Sequence, residues 1–419
     1  MGISFLYYSF RWLLICYFIS LNVVAFSQIS VSTTDVLARH GLDTNQLPYS
    51  DNLYFLNNKA GGIPIVESFE FRTETNELLF NQQEYLIRFD LNSSDERKAY
   101  DRVLATNRQL YSLMQDEYTS DFIERDYRIL VDYYFDLSEL DLIKGRLSLA
   151  KDKGTVYAKL LSNSDEVNIN NWLSNQDDII SLVTDSIELV QSIFDMRSLI
   201  FGDVNKSVIF NDFISLEKLE EVVNSYLISG GATISSELAA IEEVKAKAEY
   251  ALEEAETNKW LQYLQVRYQA DNDVAFQKEL SFSSSINIAT KSTNKVKRNE
   301  AALEVWDKKY DRIIEEEKDQ RAFTSNVIKL ESLMIQYNAL RKLIGDQKLE
   351  ETYNDYLGLG SMSPLVLLGI QKNINRFESK QLAAKKNIYK VYLDLITNSP
   401  VMIKKPRINF LSDNLNLIK

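Results

Sequence analysis

Between Pro64 and Pro364 the chain contains no proline. Proline inside a helix removes a backbone donor and clashes with the preceding turn. An interval this long without one leaves room for helices well beyond the few turns usual in compact domains. The whole sequence of 419 residues has only 5 Pro and 13 Gly, so few other breakers are available.

The apolar residues in this interval fall on narrow stripes. Leu303, Trp306, Tyr310 and Ile313 follow a 3-4-3 spacing. Val327, Leu330, Met334 and Tyr337 do the same, and Ile344 lies a heptad further on. A stripe repeating every seven residues is a coiled-coil seam rather than the broad face of a globular helix. The pattern predicts one helix over 291–357, on the order of 100 Å long at 1.5 Å per residue. A matching helix is expected over 94–161. The charged run 315–321 interrupts the second stripe and reads as a solvated face.

Ahead of each helix stand two segments of alternating polarity. Residues 84–92 place Tyr85, Ile87, Phe89 and Leu91 on one face, with Glu84, Arg88, Asp90 and Asn92 on the other. Residues 279–288 place Leu280, Phe282, Ile286 and Ile288 against Ser281, Ser283, Ser285 and Asn287. Each follows a further strand-like run, 63–73 with Ile65, Phe69 and Phe71, and 261–270 with Leu264, Val266 and Tyr268. The polar stretches 74–77 and 271–273 are the expected hairpin turns. Such strands fit a sheet with one face in lipid, and equally a soluble hairpin with one wet face.

The two halves repeat. Glu84 and Asn92 recur as Glu279 and Asn287, 195 residues on. Val131, Leu137, Leu147, Tyr157 and Leu161 recur as Val327, Leu333, Leu343, Tyr353 and Leu357, 196 residues on. The unit duplicated is a hairpin, a long helix, a turn and a shorter return helix. The return helices are expected over 167–201 and 364–397. The connector between copies carries a short helix with Leu216, Leu219, Val222 and Val223.

The N-terminus has the form of a secretory signal. Arg11 precedes the apolar run 12–26, Ala25 and Ser27 supply the small residues a signal peptidase reads, and Gln28 would begin the mature chain. The alternative is an uncleaved membrane anchor. Cys16, the one cysteine, would leave with the signal, so no disulfide or thiol chemistry is expected in the mature chain. No other segment reaches the roughly 18 apolar residues of a spanning helix, so membrane insertion of the mature chain would have to use strands.

Enzymatic chemistry finds little support. His40 is the one histidine, and no phosphate loop, serine elbow or paired-cysteine metal motif is present. No cofactor or metal is expected. The formal net charge of −13 argues against nucleic acid as a partner. Asp165 and Glu166 at the first helix-to-helix turn would either form an acidic ring in an oligomer or simply start a helix at its positive end.

Taken with its order, this set resembles the TolC-type outer-membrane efflux and secretion channels, over roughly 63–400. Residues 236–249 look like that family's helix leading into a hairpin. Tyr353 followed by 357–365 (Leu-Gly-Leu-Gly-Ser-Met-Ser-Pro-Leu) is similar to the turn at its periplasmic tip. The resemblance implies a mainly α fold with β: a duplicated β-hairpin plus long coiled-coil helices, forming a trimeric α/β-barrel outer-membrane channel. It implies four strands per chain in a shared barrel, lipid-facing Ile87, Phe89, Phe282 and Ile286, and an adaptor-contact tip at Gly358, Leu359, Ser363 and Pro364. Ser363 would cap the return helix and Pro364 occupy its first turn, while Gly358 and Gly360 would supply backbone angles closed to other residues.

Two stretches depart from that pattern. Residues 40–62, with Gly41, Pro48, Gly61 and Gly62, do not read as a full lead-in helix, and the first tip at 161–167 lacks the Gly-Leu turn. The expected division is signal peptide 1–27, atypical segment 28–62, first repeat 63–202, equatorial connector 203–232, second repeat 233–400 and tail 401–419. The function implied is a passive duct of a tripartite efflux or type I secretion system. It would be a homotrimer in the outer membrane of a Gram-negative bacterium, helices in the periplasm, contacting lipid, a periplasmic adaptor and an inner-membrane transporter. The alternatives are a non-conducting relative and a periplasmic coiled-coil adaptor or spacer. An adaptor carries no duplicated hairpin and helix.

Overall fold

The computed structural model describes residues 29–39, 48–75, 83–163, 169–201, 208–227, 233–259, 261–269, 280–286, 294–358, 363–402 and 404–418. The signal-like segment 1–27 with Cys16, Gln28, His40, the turn 271–273, Asp165, Glu166 and Leu359 lie outside them. The chain forms two compact units, one from 1–41, 121–229 and 323–419, the other from 42–120 and 230–322. Each unit thus draws on both copies of the repeat.

The second of these, the strand unit, holds α2 (Ser50–Asn58), β2 (Val66–Thr75) and β3 (Gln83–Leu91) from the first copy. From the second copy come α6 (Ile234–Thr257), β5 (Leu261–Gln269) and β6 (Leu280–Ile286). It also takes the first parts of two long helices, α3 (Ser94–Asn163) and α7 (Asn294–Gln347). The four strands form one antiparallel sheet in the order β2-β3-β5-β6. The β3 to α3 junction is a capping box: Glu96 N–H donates to Ser93 Oγ at 3.1 Å, and the Glu96 carboxylate accepts from the Ser93 N–H. Thr233 caps α6, accepting from Ser236 N–H at 3.3 Å. The Thr233 hydroxyl also donates to Asp319, within a charged run, 315–321, that is otherwise largely exposed.

The core unit contains β1 (Ile29–Val31) and α1 (Thr33–Arg39), the remainder of α3, and α4 (Ile169–Phe201). It continues with β4 (Val208–Phe210), α5 (Leu216–Val222), the end of α7, α8 (Leu349–Gly358) and α9 (Pro364–Thr397). Here β1 pairs in parallel with β4. The stripe of α7 closes on this core: Leu330 is buried, and Val327, Met334 and Tyr337 pack against the same cluster.

Buried tyrosines organise the core unit. Tyr127 donates to Ile408 O at 3.2 Å and accepts from Phe410 N–H at 3.0 Å. Tyr392 donates to Phe410 O at 2.8 Å, and Tyr389 donates to Ile214 O. A buried hydroxyl must find a partner, and here the partners are the irregular backbones of the connector and the C-terminal segment. Asn409 donates to Thr33 Oγ1 and Thr34 Oγ1 at 2.8 and 2.9 Å, and Asp413 accepts from Ser215 N–H at 2.8 Å. The segment after 401 is therefore a packed part of the core, with Phe410 and Leu411 fully buried, rather than a loose tail.

Four sequence expectations need correction. The second long helix does not run unbroken to 357. Lys348 takes a left-handed φ of 46° and separates α7 from α8, whereas α3 continues through Asp152, its counterpart 196 residues earlier. The first hairpin turn does not begin at 74, because Glu74 and Thr75 still pair with Glu84 and Gln83. Ile65 lies before β2. An extra residue at Glu67 shifts the register so that Val66 stands opposite Leu91 and takes that place on the apolar face. Finally, Ser363 occupies the N-cap position of α9 with Pro364 following, but its side chain makes no capping hydrogen bond; its carbonyl accepts from Val366 N–H at 3.0 Å instead.

Candidate functional site

Register decides which side chains share a face of the four-stranded sheet. Phe71, Ile87, Val266 and Phe282 stand in one row across all four strands. Phe69, Phe89 and Leu264 form the next row, and Thr73, Tyr85, Tyr268 and Leu280 the row beyond. Ile286 pairs with Leu261 at the end of β6. Phe69, Phe71 and Phe282 are 58%, 56% and 70% exposed, an apolar surface that nothing among the described residues covers. Covering each such ring is worth about 1.5–3 kcal/mol.

The opposite face is polar. Glu70, Arg88, Gln265 and Ser283 form one row, and Arg72, Leu86, Arg267 and Ser281 another. Arg72 pairs with Glu70 at 3.0 Å, Arg88 with Asp90 at 2.9 Å, and Arg267 with Glu84. The Arg88 guanidinium also lies 3.9 Å from the centre of the Tyr263 ring. Leu86 interrupts this charged ladder, a position the alternation in the sequence did not assign. At the end of the sheet nearer the helices, Lys259 Nζ sits 3.5 Å from Glu67 and 3.4 Å from Glu96.

The two edges, β2 and β6, have no strand beyond them among the described residues. On α7 the seam residues Leu303, Trp306 and Tyr310 are likewise uncovered, at 64%, 55% and 60% exposure. On α4 a heptad row of Leu173, Ile180, Ile187 and Phe194 is exposed too.

At the second tip Gly358 is the last residue of α8 and Pro364 the first of α9. Gly358 does not use the freedom expected of it. Its φ lies outside the left-handed region and a Cβ there would meet nothing within 4 Å. The left-handed angle belongs to Lys348, one helix earlier. Leu359 and Gly360 lie outside the described residues, and at the first tip α3 ends at Asn163.

Electrostatics follow packing. Glu243, on α6, is held below the ordinary carboxylate range by its hydrogen bond to Lys247; burial opposes the shift, and Arg312 of α7 adds to it at 2.6 Å. In the core unit burial pulls Lys386 down, but Asp136 at 2.6 Å and Asp132 at 3.2 Å outweigh it and leave the ammonium above its usual value. Burial raises the hydroxyls of Tyr127, Tyr389 and Tyr392, which stay protonated donors. Among the described residues no group of three or more His, Cys, Asp or Glu is placed to hold a metal ion, and no helix is long and apolar enough to cross a membrane.

No protein-family model and no curated protein matches the chain in sequence. Solved structures do match in fold. The open state of the Neisseria gonorrhoeae MtrE outer membrane channel aligns at a TM-score of 0.58 and 14% identity, over 87% of this chain and 87% of that one. A membrane protein from Pseudomonas aeruginosa aligns at 0.60 and 10% identity, over 89% and 91%. The outer membrane protein VceC from Vibrio cholerae aligns at 0.56 and 10%, over 88% and 93%.

Proposed function

We propose that this chain, which has the TolC-type fold, is an outer-membrane export duct in which three copies close one barrel. It acts as a passive conduit and carries out no reaction of its own. The observation that carries this reading is the four-stranded sheet: one continuous apolar face, one charged face and two open edges at opposite ends. Open edges are not tolerated in lipid, where every backbone donor and acceptor needs a partner. Four strands cannot close on themselves around a lumen, and twelve can.

In that assembly the row Phe71–Ile87–Val266–Phe282, with Phe89 and Ile286, faces lipid, and the Arg72, Arg88 and Arg267 ladder faces water. Gly358, Leu359, Ser363 and Pro364 present the tip to a periplasmic adaptor, which couples the duct to an inner-membrane transporter for efflux or secretion. The solved structures of this fold that are described as outer membrane channels support the location.

A non-conducting member of the same fold is the second reading. The nine-residue α2, where the second copy has the 24-residue α6, favours it. Fractionating cells and recording conductance of the purified protein in planar bilayers tests both. Outer-membrane protein that conducts ions supports the duct. Outer-membrane protein that never conducts supports the second reading, and recovery in the soluble periplasm rejects both.

A further inference from the structure

The helices of the strand unit lie in the same order as its strands. Arg108 of α3 donates from Nε and Nη2 to Leu56 O of α2 at 2.9 and 2.7 Å, and the Tyr49 and Tyr111 rings are 5.8 Å apart. Across a cleft, Arg102, Ala105, Thr106 and Gln109 of α3 face Val244, Lys247 and Ala248 of α6. Lys308 and Arg312 of α7 pair with Glu242 and Glu243 of α6 at 2.8 and 2.6 Å. The sequence α2-α3-α6-α7 thus repeats β2-β3-β5-β6. The short α2 stands at one end of the layer and α7 at the other.

Both ends carry uncovered aromatic side chains. Tyr54 and Phe55 of α2 are more than half exposed, as are Trp306 and Tyr310 of α7. Their depths agree. Arg108, which holds α2, lies about 20 Å along α3 from the sheet, and Glu242, which holds Lys308 between Trp306 and Tyr310, lies about 20 Å along α6 from it, at 1.5 Å per residue. The charges agree as well. Asp51 precedes Tyr54 by one turn, and the Lys309 ammonium sits 5.1 Å from the centre of the Trp306 ring. Neither has an ion-pair partner among the described residues. Because α2 runs toward the sheet and α7 away from it, Asp51 lies beyond Tyr54 and Lys309 beyond Trp306, each on the side away from the sheet.

We infer that α2 docks onto α7 of a second copy of this chain, Tyr54 and Phe55 packing on Trp306 and Tyr310 with Asp51 meeting Lys309. This inference rests on the closed-ring reading, in which the β2 edge of one copy meets the β6 edge of the next. The contact closes the wall where the first repeat has no long lead-in helix.

Site-directed cross-linking in outer membranes tests it with the full-length protein, in a Cys16→Ser background that leaves no other thiol. Tyr54→Cys with Trp306→Cys, and separately Phe55→Cys with Trp306→Cys, are treated with a short bis-maleimide. The same membranes are run on a native gel. Conversion of the monomer band to covalent dimers and trimers by either pair is the expected result. Native trimers that neither pair cross-links overturn the docking and leave the ring intact. Monomers on the native gel overturn both. Asp51→Lys should lower the trimer yield and Lys309→Asp should restore it; a second loss instead of rescue counts against the charge pairing.

Discussion

Ile87 of β3 stands opposite Val266 of β5, and this register position joins the hairpin of the first repeat to that of the second. It turns two hairpins, each marginal alone, into one four-stranded sheet whose apolar rows run from Phe71 to Phe282.

The faces of that sheet should therefore differ sharply in tolerance. Ile87→Arg or Phe282→Arg is expected to cost roughly 2–4 kcal/mol near the midplane of a bilayer and to cut assembled protein in the outer membrane severely. Arg88→Ala or Ser283→Arg, on the charged face, should leave the assembled yield close to wild type. Quantifying heat-resistant oligomer in membranes checks this. Equal losses on both faces would mean the apolar rows do not meet lipid.

At the tip, Gly358→Ala should be silent, since the backbone is helical there and a Cβ meets nothing. Gly358→Val combined with Leu359→Asp should abolish export of a dye or secreted cargo while leaving the amount of oligomer unchanged. The matching changes at Ser162 and Asn163 should do less. Full export by the double variant would remove the second tip from partner coupling, and loss of oligomer would make the turn structural.

The core unit depends on its tyrosine hydroxyls. Tyr127→Phe removes the hydroxyl that donates to the Ile408 carbonyl and accepts from the Phe410 N–H. A loss of about 1–3 kcal/mol is expected, because each unpaired buried group carries its desolvation penalty. Tyr392→Phe removes a single hydrogen bond, to Phe410 O, and should cost less. Denaturation melts of the two variants measure the difference.

Acid should weaken the α6–α7 contact. Glu243 titrates below its ordinary value of 4.5, so its stabilising effect is fully present above 4.5 and is lost as pH falls through the depressed value. Glu243→Gln should lower the melting temperature near neutrality and flatten the decline in acid. An unchanged acid profile in that variant would place the acid sensitivity elsewhere.

Much of this architecture was legible in the sequence because period and repetition are strong signals. Alternation in 84–92 and 279–288 marked the apolar face, and the seam of Val327, Leu330, Met334 and Tyr337 marked the side of α7 that closes on the core. The start of α9 at Pro364 was marked by the residue itself. What escaped depended on single residues. The extra residue at Glu67, which exchanges Ile65 for Val66, leaves no trace in a pattern read two by two. Nothing in the composition around Lys348 announces a left-handed angle, which a lysine reaches against its own Cβ. The C-terminal segment is short of periodicity, yet Tyr127 and Tyr392 bind it into the core through its backbone groups, which have no sequence signature.

In the proposed duct the open edges of the sheet are closed by joining three copies into one barrel. Electron microscopy of the detergent-extracted particle tests it most directly. End-on projections with threefold symmetry, twelve strands closing one ring, are the expected result. Monomers, or dimers with an open sheet, would contradict it.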